Sequence, residues 1–310
     1  MDVVFLGTPV FAVPTLERLI EAGHRVKLVV TQPDRPKGRG RALASPPVKE
    51  CALRHGLEVF QPERIRRPEA IERLSSLRVP AMVVVGYGQI IPQAVIDLAP
   101  LGIINVHASL LPKYRGAAPV QWAIANGETR TGVTTMRIDA GLDTGDILLQ
   151  AETGIGEEED AIELAARLAP MGADLLVETL AGLERGSVTP RPQDASLATL
   201  APILKKEHGR IIWTSGACAT LNRIRGLAPW PGAYTSFRGQ ALHVWKAQLA
   251  DTRTDAPAAT LLRDGQRLLA ACGDGSALEL VDVQLEGKKR MPGAAFANGQ
   301  RLTENEKLGE

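Results

Sequence analysis

IINVHASLLPKYRG, residues 103–116, joins an apolar run to a loop bounded by Pro112. With 102–107 as a strand, Asn105 and His107 project from the same face, because side-chain direction repeats every two residues. The loop that follows carries Lys113 and Arg115. A strand ending in an amide and an imidazole aimed the same way fits an α/β sheet, in which reactive side chains gather at the carboxyl edge.

The flanking sequence supports such a sheet. DVVFLG (2–7) leads into FAVPTLERLIEAG, a helix stopped at Gly23, and RVKLVVTQ (25–32) is the next strand. The helical PPVKECALRHG, the strand LEVFQP, another helix and PAMVVVGYG precede LGIINVHA, and TGVTTMRID and GDILLQAE complete the series. Alternation of this kind predicts a Rossmann-like, mostly parallel sheet with helices on both faces. GTP at 7–9 is not a GxGxxG fingerprint and there is no Walker motif, so a dinucleotide cofactor is unsupported.

Beyond a helical stretch over 158–186, which contains Pro170, the texture changes. SVTPRPQDASLATLAPIL (187–204) is rich in Pro, Ser, Thr and Ala and reads as a linker. One helix follows (TSGACATLNRIRG), then short strands in QALHVWKAQLA, ATLLRDG, RLLAACGDG and ALELVDVQLEG. Their spacing predicts a small, OB-like β-barrel. The expected division is a catalytic domain over 1–189, a linker over 190–207 and a C-terminal β-barrel over 208–310.

The 310 residues are 45% apolar and 23% charged, ordinary values for a globular protein able to bury a sizeable core. A net charge of +1 does not announce a nucleic-acid partner. The distribution is less even: 15 Lys/Arg face 11 Asp/Glu from Lys205 onward, against 21 and 24 before it. That asymmetry permits a polyanionic partner. Three scattered cysteines, Cys51, Cys218 and Cys272, form no CxxC pair and point to a reducing compartment. The opening MDVVFLGTPVF reads as a buried strand rather than a leader, and no apolar run reaches membrane-span length. A cytoplasmic location with no membrane partner is expected.

A third reactive candidate is Asp143, between two glycines in GLDTGD (141–146). An Asp beside a His fixes the imidazole tautomer. Asn, His and Asp together suit a reaction that develops an oxyanion and moves a proton, with no side-chain nucleophile. Ser109 lacks the GxSxG elbow of a nucleophile. Each residue taken singly has a plainer reading, a surface histidine or a turn aspartate. His24, His55, His208 and His243 lie in unrelated segments without ligand spacing, so no metal is expected.

NVHASLLPKYRGAAPVQWAI, followed by the GLDTGDI loop, closely resembles the folate-dependent formyltransferases. The resemblance implies that Asn105, His107 and Asp143 act on the formyl group of 10-formyltetrahydrofolate. It implies too that Ser109, Leu110, Leu111 and Pro112 line the folate site.

The shared core leaves the acceptor open among glycinamide ribonucleotide, an aminosugar and methionyl-tRNA. The loop TQPDRPKGRGRALASPPVK (31–49) places Arg35, Lys37, Arg39 and Arg41 on alternate residues, with Asp34 opposing them. Four cations along one edge suit a phosphate backbone, and a solvated surface loop is the competing reading. The loop resembles the tRNA-contacting insertion of the methionyl-tRNA branch of the family. RGLAPWPGAY (225–234) and the basic LEGKKRMPGAAFANGQR (285–301) resemble that branch's C-terminal barrel, with Lys288, Lys289 and Arg290 as further candidate tRNA contacts. Initiator methionyl-tRNA is therefore the expected acceptor, a nucleotide-linked aminosugar the alternative, and a monomer the expected state. Leu200, Ile203, Ile212 and Ala228 depart from the branch's pattern, away from the expected chemistry.

Overall fold

The computed structural model describes residues 1–37, 42–303 and 306–309. The first strand, β1 (Asp2–Gly7), shows how the sequence builds the sheet. Val3 and Phe5 enter one buried layer while Val4 and Leu6 enter the other. A strand covered on both faces reads as an unbroken apolar run, and DVVFLG is one. Helix α1 (Val13–Glu21) opens on a proline in its first turn, buries Leu16 and Leu19, and gives way to Gly23 at φ +78°.

The strands β2 (Arg25–Val30), β3 (Val59–Phe60), β4 (Ala81–Val85), β5 (Ile103–His107), β6 (Arg130–Arg137) and β7 (Ile147–Gly154) complete a seven-stranded sheet in the order β7-β6-β5-β4-β1-β2-β3. Pairing is parallel from β3 through β5 and antiparallel for β6 and β7. The chain crosses over between β3 and β4, so the order reverses at the β1–β4 boundary. Beyond the carboxyl ends of strands near such a reversal lies the ligand crevice of open α/β sheets.

Helices α2 (Pro47–Arg54), α3 (Pro68–Ser76), α4 (Gln93–Ile96), α5 (Pro119–Ala125) and α6 (Ala161–Arg185) follow along the chain. Leu16, Leu19, Val48, Cys51, Leu176 and Leu180 cover one face of the sheet, and Ile65, Leu74 and Val95 cover the other. Helix α6 runs unbroken past Pro170.

After α7 (Ala217–Gly226) come β8 (Ala233–Phe237), β9 (Gln240–Arg253), β10 (Leu261–Asp264), β11 (Arg267–Ala271), β12 (Ser276–Leu285) and β13 (Met291–Pro292), then α8 (Gly293–Gly299). The second sheet is antiparallel, ordered β8-β9-β12-β11-β10, with β13 on β12. Its two edges are joined by residues 306–309. Leu261 N and Gly309 N donate to Glu306 O and Ser236 O at 2.7 and 2.8 Å, and Leu308 bridges Phe237 while only 3% exposed. The expected barrel is thereby closed. Strand β8 and helix α8 carry no sequence signal used above. The β8–β9 hairpin turns on Arg238 and Gly239, both at positive φ, the geometry of a two-residue primed turn.

Contacts divide the described chain into two compact units. One comprises Met1–Gly116, Arg130–Gly154 and Ala165–Leu200, and the other Ala117–Thr129, Ile155–Leu164 and Ala201–Glu310. The segment read as a linker is ordered along 191–199. Arg191 exchanges two backbone hydrogen bonds with Ile147, each 2.8 Å, so its polar groups are paired rather than solvated. Leu200, Ile203 and Ile212 are all exposed, and nothing in the structure explains their departure from the branch's pattern. Among the described residues no helix is long and apolar enough to cross a membrane.

Candidate active site

Strand β5 is flanked by β4 and β6, and Asn105 lies opposite Val84 on one side and Met136 on the other. That central position buries both candidate residues, leaving Asn105 8% and His107 5% exposed. The imidazole is fixed by its neighbours. Nε2 lies 2.9 Å from the carbonyl oxygen of Tyr114, which only accepts, so Nε2 carries a proton and donates. Nδ1 faces Asp143 Oδ2 at 3.7 Å, too far for a hydrogen bond and close enough for an ion pair. The ring is thus anchored by a hydrogen bond at one nitrogen and faces a carboxylate at the other. Among the described residues the Asn105 amide meets no hydrogen-bond partner, so its donors are uncommitted.

Asp143 is brought to His107 by a loop that is tight at both its glycines and in which Gly145 is sterically required. A Cβ on Gly145 would lie 1.9 Å from Arg137 O, and one on Gly141 would lie 2.0 Å from Thr144 Oγ1. Asp139 ties the loop by accepting from Gly141 N at 3.0 Å and Thr144 Oγ1 at 2.7 Å. Asp143 itself sits at φ +51°, a region costing a non-glycine residue about 1–3 kcal/mol and sustained only by surrounding contacts. One such contact is Gly116 N, which donates to Asp143 Oδ2 at 2.8 Å.

Ser109 to Pro112 form the turn after β5. Ser109 is fully buried and its hydroxyl donates to Lys113 O at 2.6 Å, so the side chain holds the turn together. Thr134 Oγ1 donates to Ser109 O at 2.6 Å and accepts from Leu111 N at 3.1 Å, and Gln150 Nε2 donates to Leu111 O at 2.9 Å. Leu111 packs against Met136 and Ile147. Leu110 and Pro112 are half-buried and remain the side chains of this turn that a ligand can reach.

The basic candidates are placed unevenly. Arg35 is exposed on a short strand, Arg35–Lys37, paired antiparallel with Ala42–Ala44. Arg39 and Arg41 lie outside the described residues. Asp34 has two side-chain partners among the described residues. Its carboxyl bonds Lys49 Nζ at 2.6 Å and Gln61 Nε2 at 2.8 Å, and these two, Lys49 first, hold it below the usual carboxylate range. Lys288 and Lys289 are exposed, whereas Arg290 is committed to Asp282 Oδ2 at 2.6 Å.

Among the described residues, one group has metal-ligand character: Glu17, Cys51 and His55, with ligand atoms within 4.8 Å of one another. Glu17 there is already paired with Arg54 and accepts from the Cys51 thiol, so its charge is spoken for.

Sequence reasoning missed the partners of His107 and Asp143 and their neighbours: Tyr114 O beside His107 Nε2, Gly116 N and Gln193 Nε2 donating to Asp143, and Thr199, which accepts from Tyr114 N. Backbone partners leave no residue-type signal, and Gln193 lies in a segment whose composition reads as a linker.

Residues 1–180 match the formyl transferase family and residues 203–301 match the formyl transferase C-terminal domain. The chain belongs to the formyl transferase family. Two formyl transferase relatives are similar along their whole length. The methionyl-tRNA formyltransferase of Solibacter usitatus is 67% identical, covering 100% of this chain and 99% of the relative. That of Koribacter versatilis is 58% identical with the same coverage. The fold resembles that of WlaRD, a sugar 3N-formyl transferase whose crystal structure was obtained in the presence of dTDP and 5-N-formyl-THF. The TM-score is 0.68 at 18% identity, covering 93% of this chain and 99% of that one.

Proposed function

We propose that this formyl transferase moves the formyl group of 10-formyltetrahydrofolate to the α-amine of initiator methionyl-tRNA, giving N-formylmethionyl-tRNA and tetrahydrofolate. The observation that carries the chemistry is the meeting of His107 Nδ1 with Asp143 beside an uncommitted Asn105 amide at the carboxyl end of a central strand. The choice of acceptor is supported by full-length identity to relatives named for methionyl-tRNA.

The neutral amine attacks the formyl carbon, and the new C–N bond leaves a tetrahedral carbon bearing a negative oxygen. Asn105 Nδ2–H and His107 Nδ1–H hold that oxygen, each such donor lowering the barrier by ~2.7–4 kcal/mol. Asp143 is the counter-charge to the imidazolium and, through a water, takes the proton released by the amine. As the carbon–N10 bond breaks, N10 takes that proton back from Asp143 through the water, the carboxylate is restored and tetrahydrofolate leaves. The arylamine N10 donates weakly into the formyl group, which makes it the better leaving nitrogen.

Ser109 to Pro112 form one wall of the folate site, reached through Leu110 and Pro112. Arg35, Lys37, Arg39 and Arg41 are the candidate tRNA contacts of the N-terminal part, and Lys288, Lys289 and Arg290 those of the C-terminal domain, Arg290 already half of an ion pair. The catalytic part spans 1–189, the connection 190–207 and the tRNA-binding barrel 208–310, in a cytoplasmic monomer that uses no metal.

The test offers purified protein and 10-formyltetrahydrofolate three acceptors in parallel: charged initiator methionyl-tRNA, free methionine and a nucleotide-linked aminosugar. Tetrahydrofolate release with the charged tRNA alone is expected. Release with the aminosugar would retain the chemistry and replace the acceptor.

A further inference from the structure

Gln193 lies in an otherwise exposed stretch, with 191, 192 and 194–197 open to solvent, yet its amide is fully engaged. Its Nε2 donates to Asp143 O at 2.8 Å and to Gly145 O at 2.7 Å. Its Oε1 accepts from Arg115 Nε at 3.0 Å and Nη2 at 2.8 Å. Both N–H groups and the carbonyl oxygen are therefore in use.

The partners are not scattered. Asp143 O belongs to the residue held at positive φ, and Gly145 O flanks it two residues on. Arg115, only 9% exposed, stands between Tyr114, whose carbonyl anchors His107, and Gly116, whose N–H holds the Asp143 carboxylate. The same stretch reaches the turn again through Thr199, which accepts from Tyr114 N at its hydroxyl (2.9 Å) and from Arg115 N at its carbonyl (2.8 Å). One side chain thus joins the loop that carries Asp143 to the loop that carries the groups orienting His107.

We propose that Gln193 is a positioning residue of the reaction, setting the backbone of Asp143 so that its carboxylate meets His107 Nδ1. This rests on the role given to Asp143 above. An apolar side chain could fill the same space, but it could not direct two carbonyls. A left-handed aspartate is kept in place only by neighbours that over-determine it, and Gln193 holds its backbone carbonyl while Gly116 holds its carboxylate.

The test uses Gln193→Glu and Gln193→Ala, each alone and combined with Asp143→Asn. Glu keeps the shape and the Arg115 contact but cannot donate to either carbonyl, so it removes the proposed function without opening a hole. Both single substitutions should lower kcat by ~10²-fold, the scale of a 1 Å misplacement, with both KM values unchanged in protein that stays folded at the assay temperature. In the Asp143→Asn background they should add nothing further, because two residues acting through one another are not additive. Wild-type kcat in Gln193→Glu would overturn the proposal, as would the same loss in both backgrounds. Normal turnover by Asp143→Asn alone would instead remove the catalytic role of Asp143, and this proposal with it.

Discussion

His107 Nδ1 and Asp143 Oδ2 stand 3.7 Å apart, and the same carboxylate oxygen is held by Gly116 N at 2.8 Å. The aspartate is therefore oriented by the backbone and keeps its charge directed at the ring. Both side chains are largely removed from water, at 6% and 19% exposure, where an unscreened charge acts most strongly. Asp143→Asn preserves the bond from Gly116 N and deletes the charge. Single-turnover formyl transfer should slow by ~10²-fold or more, with affinity for both substrates retained. An unchanged rate would show that the charge is idle.

Asn105→Ala removes an uncommitted donor and fills no other role in the described contacts. Its expected effect is a ~10²–10³-fold fall in kcat, the usual cost of losing one oxyanion donor. Folate binding followed by fluorescence quenching should stay at the wild-type level. Normal turnover by the Asn105→Ala, His107→Ala double variant would sink the oxyanion assignment.

Gly145→Ala places a methyl 1.9 Å from Arg137 O, a backbone atom that cannot swing aside. We expect a loss of about 1–3 kcal/mol in urea denaturation together with lost activity, because the strained loop carries Asp143. Gly299→Ala is the control. Nothing lies within 4 Å of its added methyl and the residue is helical, so stability should hold or rise.

Thiol reactivity should separate the cysteines. Burial pushes the Cys51 and Cys272 thiols up to about 11, with Glu17 and Asp274 adding to the effect, while Cys218 is exposed. A disulfide reagent at pH 7.5 should label one thiol quickly in the native protein and all three in urea. Cys218→Ser should abolish the fast phase, and rapid labelling that survives it would contradict the buried placement.

His24 and His243 are both held below the ordinary histidine value, chiefly by burial, with the N-terminal ammonium and Lys206 respectively adding to it. A depressed folded value means that the unfolded chain binds the proton more readily. Stability from this source is present above the unfolded value of about 6.5 and is lost as pH falls below it. Urea midpoints should decline from pH 7.5 to pH 5, and replacing both residues by Gln should flatten that slope. An unaltered slope in the double variant would assign the decline to other groups.

The fold was legible wherever one residue type forces one geometry. DVVFLG and PAMVVVGYG are apolar on both faces because helices cover both, and Gly23 stops α1 because only glycine enters φ +78° at no cost. Asn105 and His107 were legible through strand periodicity, and Asp143 through glycines that mark a tight loop. Strand β8 was hidden because AYTSF mixes small and polar residues, although Ala233, Thr235 and Phe237 alternate into the buried side. Helix α8 was hidden by glycine at both ends of GAAFANG. Gln193 was hidden for a deeper reason. Polar residues near prolines signal exposure, and hydrogen bonds to distant carbonyls leave no periodic trace.

The strands of the C-terminal barrel are drawn together by residues 306–309, which lie beyond every other element they touch. During synthesis, β8 to β12 emerge from the ribosome before residues 306–309, with the two edges that those residues bridge still open. The domain must wait for its clasp. Edge strands exposed in that interval are the surfaces on which nascent chains aggregate. Deletions that stop short of Glu306 should therefore reduce soluble yield far more than the few contacts removed would suggest, a cost levied on the newborn chain rather than on the finished one.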